Sequence, residues 1–401
     1  MKRLVFSSLL GALALPASAG TLPEYAAPEL LVRVHFTDTY NLPPLTYLSN
    51  TSPAINNQGD VAIKLMAVDG KPNQAVWFKS HKAPGEVIYV APEDHYVTDP
   101  TVNDRGQVTF SPFSEIESLG VFVYDGHSKK TEVKVSGPEH KIVYAGYAQT
   151  LNDGTAIFRS MGKDFDRSFV EYKDSYSTIA REGERRFDTS AAYLFRPSVN
   201  EKKQWAFKVR LGERGEISDA QSDQILLIQS KGNGEYEKIV IAQDRKGDAN
   251  SNYVGFGNTV ALSQNGMVVF VGYLPDKRKS LVLYKDGELQ SLVTEGLDGI
   301  AELELFTPRL NSSGTVAFRA KNAKGLRGLY VANESSVKRL LGEGDSIMTD
   351  KGHGYILLKQ DFPGFAGDID FNEKGELAFA CVLASPENKI IGDAIYKLSP
   401  K

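Results

Sequence analysis

Short apolar runs separated by polar turns recur along the whole chain, and residues 307 to 341 give the clearest example. Their runs TVAFRA (Thr315–Ala320), GLYVA (Gly328–Ala332) and VKRLL (Val337–Leu341) are rich in residues typical of strands. A turn signal at Ser312–Gly314 joins the first run to the short strand-like segment Thr307–Asn311. No long segment has the periodicity of a helix. The pattern predicts four short antiparallel strands in about 45 residues, the size of one propeller blade.

One phrase, apolar-Asn-x-x-Gly-x-apolar-Ala-Phe, marks this turn and the strand that follows it in seven copies. The copies are INNQGDVAI (Ile55–Ile63), VNDRGQVTF (Val102–Phe110), LNDGTAIF (Leu151–Phe158), VNEKKQWAF (Val199–Phe207), LSQNGMVVF (Leu262–Phe270), LNSSGTVAF (Leu310–Phe318) and FNEKGELAF (Phe371–Phe379). The third copy is one residue short. We interpret the asparagines as turn caps and the phenylalanines as packing between blades. Seven copies predict an all-β fold, a seven-bladed β-propeller of four-stranded blades that forms one domain over residues 20–401.

The two ends of the chain are predicted to meet in the last blade. The seventh copy ends after its third strand, AIYKL (Ala394–Leu398), and lacks a fourth. The segment LLVRV (Leu30–Val34) is a suitable strand near the other end of the chain. Pairing of these two segments is expected to close the ring and to cover a sheet edge that is otherwise open to aggregation.

The repeated phrase resembles the N-x-x-G-x-x-A-F tandem-repeat family of secreted bacterial proteins, whose members are predicted propellers. The resemblance covers nearly all of the chain after residue 19. Departures are Ser263 in place of the asparagine, Lys203 in place of the glycine and Ile63 in place of the final phenylalanine. The resemblance implies the fold and brings no biochemical activity with it.

A candidate ligand site follows from the places where the repeats differ. Two residues before each motif asparagine stand Ala54, Thr101, Thr150, Ser198, Ala261, Arg309 and Asp370. Five of these are small, and the two charged ones belong to neighbouring copies. The long segment between those copies, residues 342–368, begins with a flexible acidic turn. We therefore predict that a ligand contacts the mouth of the channel. The predicted ligand-binding residues are Arg309, Glu343, Asp345, Asp368 and Asp370. The alternative is a purely structural ion pair between Arg309 and Asp370.

Composition limits the location and the class of partner. Lys2 and Arg3, an apolar run and the small residues Ala17–Ala19 form a secretory signal peptide over residues 1–19, which predicts a secreted or periplasmic protein. No later run is long enough to span a membrane, so no membrane insertion is expected. The net charge of −4 gives no general attraction to nucleic acid. The single cysteine, Cys381, lies in an apolar run and is interpreted as a buried structural thiol.

Searches for catalytic chemistry leave the catalytic residues unknown. The six histidines show no zinc-type pairing, and no nucleophile elbow or phosphate-binding glycine loop is present. No metal and no cofactor is expected. A basic stretch at residues 181–186, together with Arg196, suits an anionic ligand or a solvated loop. The favoured function is a binding module for a protein or carbohydrate ligand. The alternative is a propeller enzyme, a polysaccharide lyase, glycosidase or lactonase-like hydrolase, with its active site at the channel mouth.

Overall fold

The computed structural model describes residues 20–36, 38–48, 51–185, 190–215, 217–232, 235–359 and 362–401. These residues form strands and turns, with no helix among them. The predicted signal peptide, residues 1–19, lies outside the described residues.

The strands fall into sheets that follow the sequence repeats. The first two strands are β1 (Glu29–His35) and β2 (Asp38–Tyr40). Sheet 1 consists of β3 (Ala54–Ile55), β4 (Val61–Leu65), β5 (Ala75–Lys79) and β6 (Glu86–Val90). Next come β7 (Tyr96–Val97), β8 (Thr101–Val102), β9 (Gln107–Phe110), β10 (Pro112–Phe113), β11 (Gly120–Asp125) and β12 (Lys130–Ser136). Of these, β7 and β10 form a two-stranded ribbon, and the other four form sheet 2.

The middle of the chain continues the series. Sheet 3 consists of β13 (Tyr144–Thr150), β14 (Ala156–Met161), β15 (Arg167–Tyr172) and β16 (Tyr176–Arg181). Sheet 4 consists of β17 (Ala191–Leu194), β18 (Ser198–Val199), β19 (Trp205–Leu211), β20 (Asp223–Gly232) and β21 (Glu235–Gln243). Sheet 5 consists of β22 (Gly255–Leu262), β23 (Val268–Tyr273), β24 (Lys279–Lys285) and β25 (Glu288–Thr294).

The last two sheets carry the candidate site. Sheet 6 consists of β26 (Ile300–Leu303), β27 (Arg309–Leu310), β28 (Val316–Asn322), β29 (Arg327–Ala332) and β30 (Val337–Gly342). Sheet 7 consists of β31 (Ser346–Thr349), β32 (Gly352–Ile356), β33 (Phe365–Phe371), β34 (Leu377–Ala384) and β35 (Ile390–Leu398), together with β1 and β2. The strand pairs within the sheets are antiparallel. The arrangement is that of a β-propeller.

The core lies between neighbouring sheets, as the repeated phenylalanines predict. One apolar cluster joins each sheet to the next along the chain, and a further cluster joins sheet 7 to sheet 1. The motif phenylalanines, all buried in these clusters, are Phe110, Phe158, Phe207, Phe270, Phe318 and Phe379. Cys381 is buried in the cluster between sheets 6 and 7, and burial raises the pKa of its thiol. These features confirm the predicted packing roles.

The motif asparagine caps its own turn and also reaches the next sheet. The Oδ1 atom of Asn56 accepts hydrogen bonds from the backbone N–H groups of Gln58 and Asp60, each at 2.9 Å. Its Nδ2 atom donates to the carbonyl oxygen of Asn103 at 2.7 Å. In sheet 7, Nδ2 of Asn372 donates to the carbonyl oxygen of Asn56 at 2.7 Å. The predicted capping role is therefore confirmed, and the same side chain also links adjacent sheets.

The residue after the asparagine position forms a second set of links between sheets. At six of the junctions between neighbouring sheets, the backbone N–H of this residue donates to the side chain at the same position in the next sheet. The six bonds run from Asn57 to Asp104, Asp104 to Asn152, Asn152 to Glu201, Glu201 to Gln264, Ser312 to Glu373, and Glu373 to Asn57. Between sheets 5 and 6, Nδ2 of Asn265 instead donates to the carbonyl oxygen of Ser312 at 3.0 Å.

The third motif copy is aligned differently from its sequence prediction. Leu151, not Asn152, takes the place of the capping asparagine, since the backbone N–H of Leu151 bonds Thr155 as that of Asn56 bonds Asp60. The residue two positions earlier is then Gln149 and not Thr150. The hydroxyl of Thr150 is buried against Thr109, so Gln149 occupies the inner position predicted for Thr150, although Thr150 also lies on the inner strand β13. This shift is hard to see in the sequence, because the turn is one residue short and Asn152 stands one residue after the capping position.

β1 pairs antiparallel with β35, which is the pairing predicted for Leu30–Val34 and Ala394–Leu398. The side chains of Leu31, Val32 and Val34 are buried in the cluster between sheets 7 and 1. Sheet 7 is larger than a four-stranded blade, because β2 extends it beyond β1 and the β31–β32 hairpin joins β34 beside β33.

Candidate functional site

The first strands of the sheets come together around a central cavity of about 250 Å³. We name it the channel cavity. A second cavity, of about 220 Å³, lies on the side of the motif turns. The two cavities share lining residues on the inner strands, including Thr101, Gln149, Ser198, Arg309 and Asp370. The inner position identified in the sequence therefore lines the channel, with Gln149 in place of Thr150.

The predicted ion pair between Arg309 and Asp370 is present. Nε of Arg309 lies 3.1 Å from Oδ1 of Asp370 and also donates to the carbonyl oxygen of Ile369 at 2.9 Å. Oδ2 of Asp370 accepts a hydrogen bond from the backbone N–H of Ile55 in sheet 1, at 2.9 Å. Burial raises the pKa of Asp370, and the attraction of Arg309 only partly opposes this.

A second ion pair, between Arg196 and Asp368, connects sheets that are distant along the chain. Nη1 of Arg196, which precedes β18, lies 2.7 Å from Oδ2 of Asp368 in sheet 7. Thr307 donates to the same carboxylate from its backbone N–H at 3.2 Å and from its hydroxyl at 2.9 Å. Burial alone would raise the pKa of Asp368, but Arg196, Arg309 and the Thr307 bonds outweigh it, and the pKa is lowered. The site thus holds two carboxylates whose pKa values are shifted in opposite directions.

Two tyrosines complete one wall of the channel cavity. The ring of Tyr147 faces the guanidinium groups of Arg159 and Arg196, whose central carbons lie 4.9 and 4.8 Å from its centre. Tyr147 has φ of 57°, which is uncommon for an aromatic residue, and such conformations concentrate at functional sites. Burial raises the pKa of the neighbouring Tyr144. The sequence did not single out either tyrosine, because the irregular third copy obscured the inner strand before it.

Glu343 and Asp345 are not among the residues that line the channel cavity. Buried Glu343 accepts hydrogen bonds from the backbone N–H groups of Arg327 and Gly364, each at 2.9 Å, and pairs with the Arg327 guanidinium. Asp345 accepts from the backbone N–H of Gly342 at 2.8 Å and pairs with Arg339. Both carboxylates therefore hold the acidic turn in place. Arg309 and Asp370 line the channel cavity, whereas Asp368 does not line it but pairs with Arg196, which does.

Glu343 occupies a repeated structural position that sequence analysis did not identify. Glu182 and Glu295 are likewise buried at the ends of the fourth strands of their sheets. Each accepts from the first residue of its own third strand, Arg167 or Lys279, and from the first strand of the next sheet. The recurring dipeptide Glu-Gly was the available signal, since a glycine with positive φ follows each of the three glutamates.

We predict that Glu343→Gln lowers stability without altering ligand binding at the channel. The substitution keeps the shape but removes the charge that Arg327 and two backbone N–H groups share. A loss of about 1–3 kcal/mol in the free energy of unfolding is expected. Chemical denaturation of the wild type and the variant measures it. The exposed Glu288 serves as the control, because Glu288→Gln removes a charge at the surface. Equal stability of the Glu343 variant and the wild type would contradict this role.

Within the described part of the chain, no group of three or more histidine, cysteine, aspartate and glutamate side chains is arranged to hold a metal ion. Across the same residues, no helix is long and apolar enough to cross a membrane.

A family model matches residues 35–384 of the chain. The chain belongs to the family of unknown function DUF7453. The match to this family includes the seven motif copies and the residues of the channel cavity. A search of curated proteins finds no significant sequence match.

Solved structures with similar folds include a β-propeller domain and a peptidase. The β-propeller domain of the Trilobed protease from Pyrococcus furiosus, described as having an open velcro topology, is 14% identical with a TM-score of 0.53. The alignment covers 86% of this chain and 93% of that one. The Pyrococcus horikoshii acylaminoacyl peptidase is 15% identical with a TM-score of 0.51, over 84% of this chain and 50% of the peptidase. At these identities the likeness shows the β-propeller fold alone.

Proposed function

We propose that the DUF7453 chain is a closed, seven-bladed β-propeller that binds a protein or glycan ligand at the mouth of its central channel. Three features support closure. The pairing of β1 with β35 joins residues near both ends in one sheet, and the inter-sheet hydrogen bonds return from Glu373 to Asn57. An apolar cluster between sheets 7 and 1 supports the same arrangement.

The observation that carries the binding proposal is the set of opposed charges around the channel cavity. Arg196 and Arg309 supply guanidinium donors and Asp370 supplies a carboxylate acceptor, while Asp368, which is not part of the lining, pairs with Arg196. A sugar ring offers hydroxyl groups that can accept from the arginines and donate to the carboxylates. Tyr147 adds an aromatic surface that is partly exposed. A glycan is therefore our first choice of ligand, and a polar protein loop is the second.

The localisation in this proposal is secreted or periplasmic. It rests on the basic, apolar and small-residue pattern of residues 1–19. Nucleic acid is not an expected partner, because acidic residues outnumber basic ones, 50 to 46.

The second candidate function is catalysis by the carboxylates of Asp368 and Asp370. It is favoured by one observation, the opposite pKa shifts of Asp368 and Asp370. Two carboxyl groups in one site whose pKa values are shifted apart can act as general acid and as base or nucleophile. A polysaccharide lyase, a glycosidase and a lactonase-like hydrolase are the reaction classes that fit.

Binding is tested on a panel of immobilised oligosaccharides with Arg309→Ala and Asp370→Asn. We expect each variant to weaken binding at least tenfold, about 1.4 kcal/mol, because each removes one partner of the channel ion pair. Arg278→Ala is the matched control, since Arg278 forms an exposed pair with Asp276 and does not line the cavity. Unchanged affinity in both channel variants would move the site elsewhere. The melting curves of both channel variants must match that of the wild type. A variant that fails to fold would show that the Arg309–Asp370 pair has a structural role.

The same oligosaccharides distinguish binding from catalysis. Incubation with the wild type followed by mass spectrometry detects any cleaved product. A product that disappears with Asp370→Asn would support the enzyme, and intact ligand throughout would support the binding module.

A further inference from the structure

A second concave surface, away from the channel cavity, lies between sheets 7 and 1. We name it the seam groove. Its apolar walls include Phe36, Leu45, Tyr47, Phe362 and Ile390, whose side chains are between 41% and 82% exposed. Single exposed apolar residues are ordinary on a protein surface, whereas five around one groove are not. The cavity volume of about 760 Å³ falls in the range of small-molecule sites.

One carboxylate, that of Asp393, lies in this apolar surface. Asp393 is on β35, and its backbone pairs with Val34 of β1 and Val382 of β34. Across the described residues no hydrogen bond or ion pair involves its carboxylate, although several buried carboxylates of this chain have cationic partners. Burial raises the pKa of Asp393 to about 6. An unpartnered carboxylate in an apolar wall is costly unless something binds to it.

Asp393 also lies where the seam groove meets a smaller cavity of about 100 Å³. Tyr47, Phe362 and Val382 line both spaces, so a ligand can extend its apolar part on either side of the carboxylate. The other charged or titratable groups lining the groove are His35, Lys71 and Tyr47. Among the described residues that line the groove, Asp393 is the only one with a carboxylate.

We propose that the seam groove binds a small apolar molecule that carries a protonated amine, with the ammonium group paired to Asp393. A charge-assisted hydrogen bond would satisfy the carboxylate. The aromatic faces of Tyr47 and Phe362 suit both the apolar body and the cation. The concave shape and the single carboxylate favour such a ligand over a second copy of the chain, which would need a broad complementary surface. This site is independent of the channel proposal.

A matched series of probes tests the charge requirement: 4-phenylbutylamine, 4-phenylbutanol and 4-phenylbutyrate. The three share one apolar body and differ in the terminal group. We expect the amine to bind at least tenfold more tightly than the alcohol at pH 8, and the carboxylate to bind most weakly. Asp393→Asn should remove the advantage of the amine over the alcohol. Tyr47→Ala should weaken all three, because it removes part of the shared apolar wall.

The control is Ile116→Ala, which removes an exposed apolar side chain outside the groove and should change none of the affinities. Lowering the pH from 8 to 5 should shrink the preference for the amine, since Asp393 gains a proton while the amine stays charged. His35 also lines the groove, so His35→Gln must retain the effect.

Three results would overturn the proposal. The first is equal affinity of the wild type for the amine and the alcohol. The second is an amine preference that survives Asp393→Asn in a variant that melts like the wild type. The third is a dimer in sedimentation experiments that Tyr47→Ala dissociates, because a second copy would then occupy the groove.

Discussion

Deletion of residues 21–36 is expected to leave the chain unable to fold cooperatively at 37 °C. The deletion removes β1, and with it the buried side chains of Leu31, Val32 and Val34. Loss of one buried leucine side chain costs about 2–5 kcal/mol. Three lost apolar side chains therefore approach the whole stability of a typical domain, about 5–15 kcal/mol. The deletion also exposes the edge of β35. Thermal melting followed by circular dichroism measures the effect.

A graded variant keeps this prediction testable if the deletion yields no soluble protein. Leu31→Ala should lower the free energy of unfolding by about 2–5 kcal/mol. Leu289→Ala, on the partly exposed strand β25, is the matched control and should change it by less than about 0.5 kcal/mol. A truncated chain that melts like the full chain would show that β1 does not hold sheet 7 together.

Arg33→Ala is expected to cost about 3–5 kcal/mol, because it leaves a largely buried carboxylate without its partner. Arg33 is 1% exposed, and its guanidinium binds Asp350 in a bidentate manner. The Nε–Oδ1 and Nη2–Oδ2 distances are 2.7 and 2.8 Å. The carbonyl oxygen of Ile391 accepts a further bond from Nη1 at 3.1 Å. The pair thus connects β1 to the β31–β32 hairpin and to β35. Urea denaturation of the variant measures the loss.

The same pair predicts a pH dependence. The hydrogen bond and charge of Arg33 hold the pKa of Asp350 below its usual value. A carboxylate with a lowered folded-state pKa adds stability above the unfolded pKa, and this is lost as the pH falls through the folded value. Between pH 7 and about pH 3, the free energy of unfolding of the wild type should therefore fall. That of Arg33→Ala should fall less, because the variant lacks the Arg33–Asp350 pair at both pH values.

The control for Arg33 is Arg278→Ala. Arg278 and Asp276 are about half exposed, and an exposed pair contributes only about 0–1 kcal/mol. Equal losses in the Arg33 and Arg278 variants would mean that burial of the Arg33 pair is energetically irrelevant. If the free energy of unfolding falls equally with pH in the wild type and in Arg33→Ala, Asp350 does not contribute to the loss of stability in acid.

The repeats predicted the all-β propeller fold because each copy carries its own strand and turn signals. The phenylalanines and the capping asparagines needed no long-range information, since their roles are set by local pattern and burial. The pairing of β1 with β35 was also predictable, because one strand was missing and one was left over. Arg33 was not recognised as a buried residue, because its partner Asp350 is more than three hundred residues away.

The channel site was predicted in part. Arg309 and Asp370 stood out because they break a pattern of small residues at one repeated position. Arg196 and Tyr147 could not be placed, since their contacts depend on how distant sheets meet around the channel. Glu343 was assigned to a ligand because its hydrogen bonds to backbone N–H groups depend on the folded chain, and the recurring Glu-Gly dipeptide that marks this position was not recognised.

The assembly of sheet 7 sets an order of events during synthesis. β1 is translated long before its partner β35. Sheets 1 to 6 are built from neighbouring segments and can form as the chain lengthens, as domains fold from the N-terminus. Leu31, Val32 and Val34 can meet the apolar residues of sheet 1 early, but the part of their core that sheet 7 supplies is added some three hundred and fifty residues later. Completion of this sheet is therefore the late, long-range step of folding.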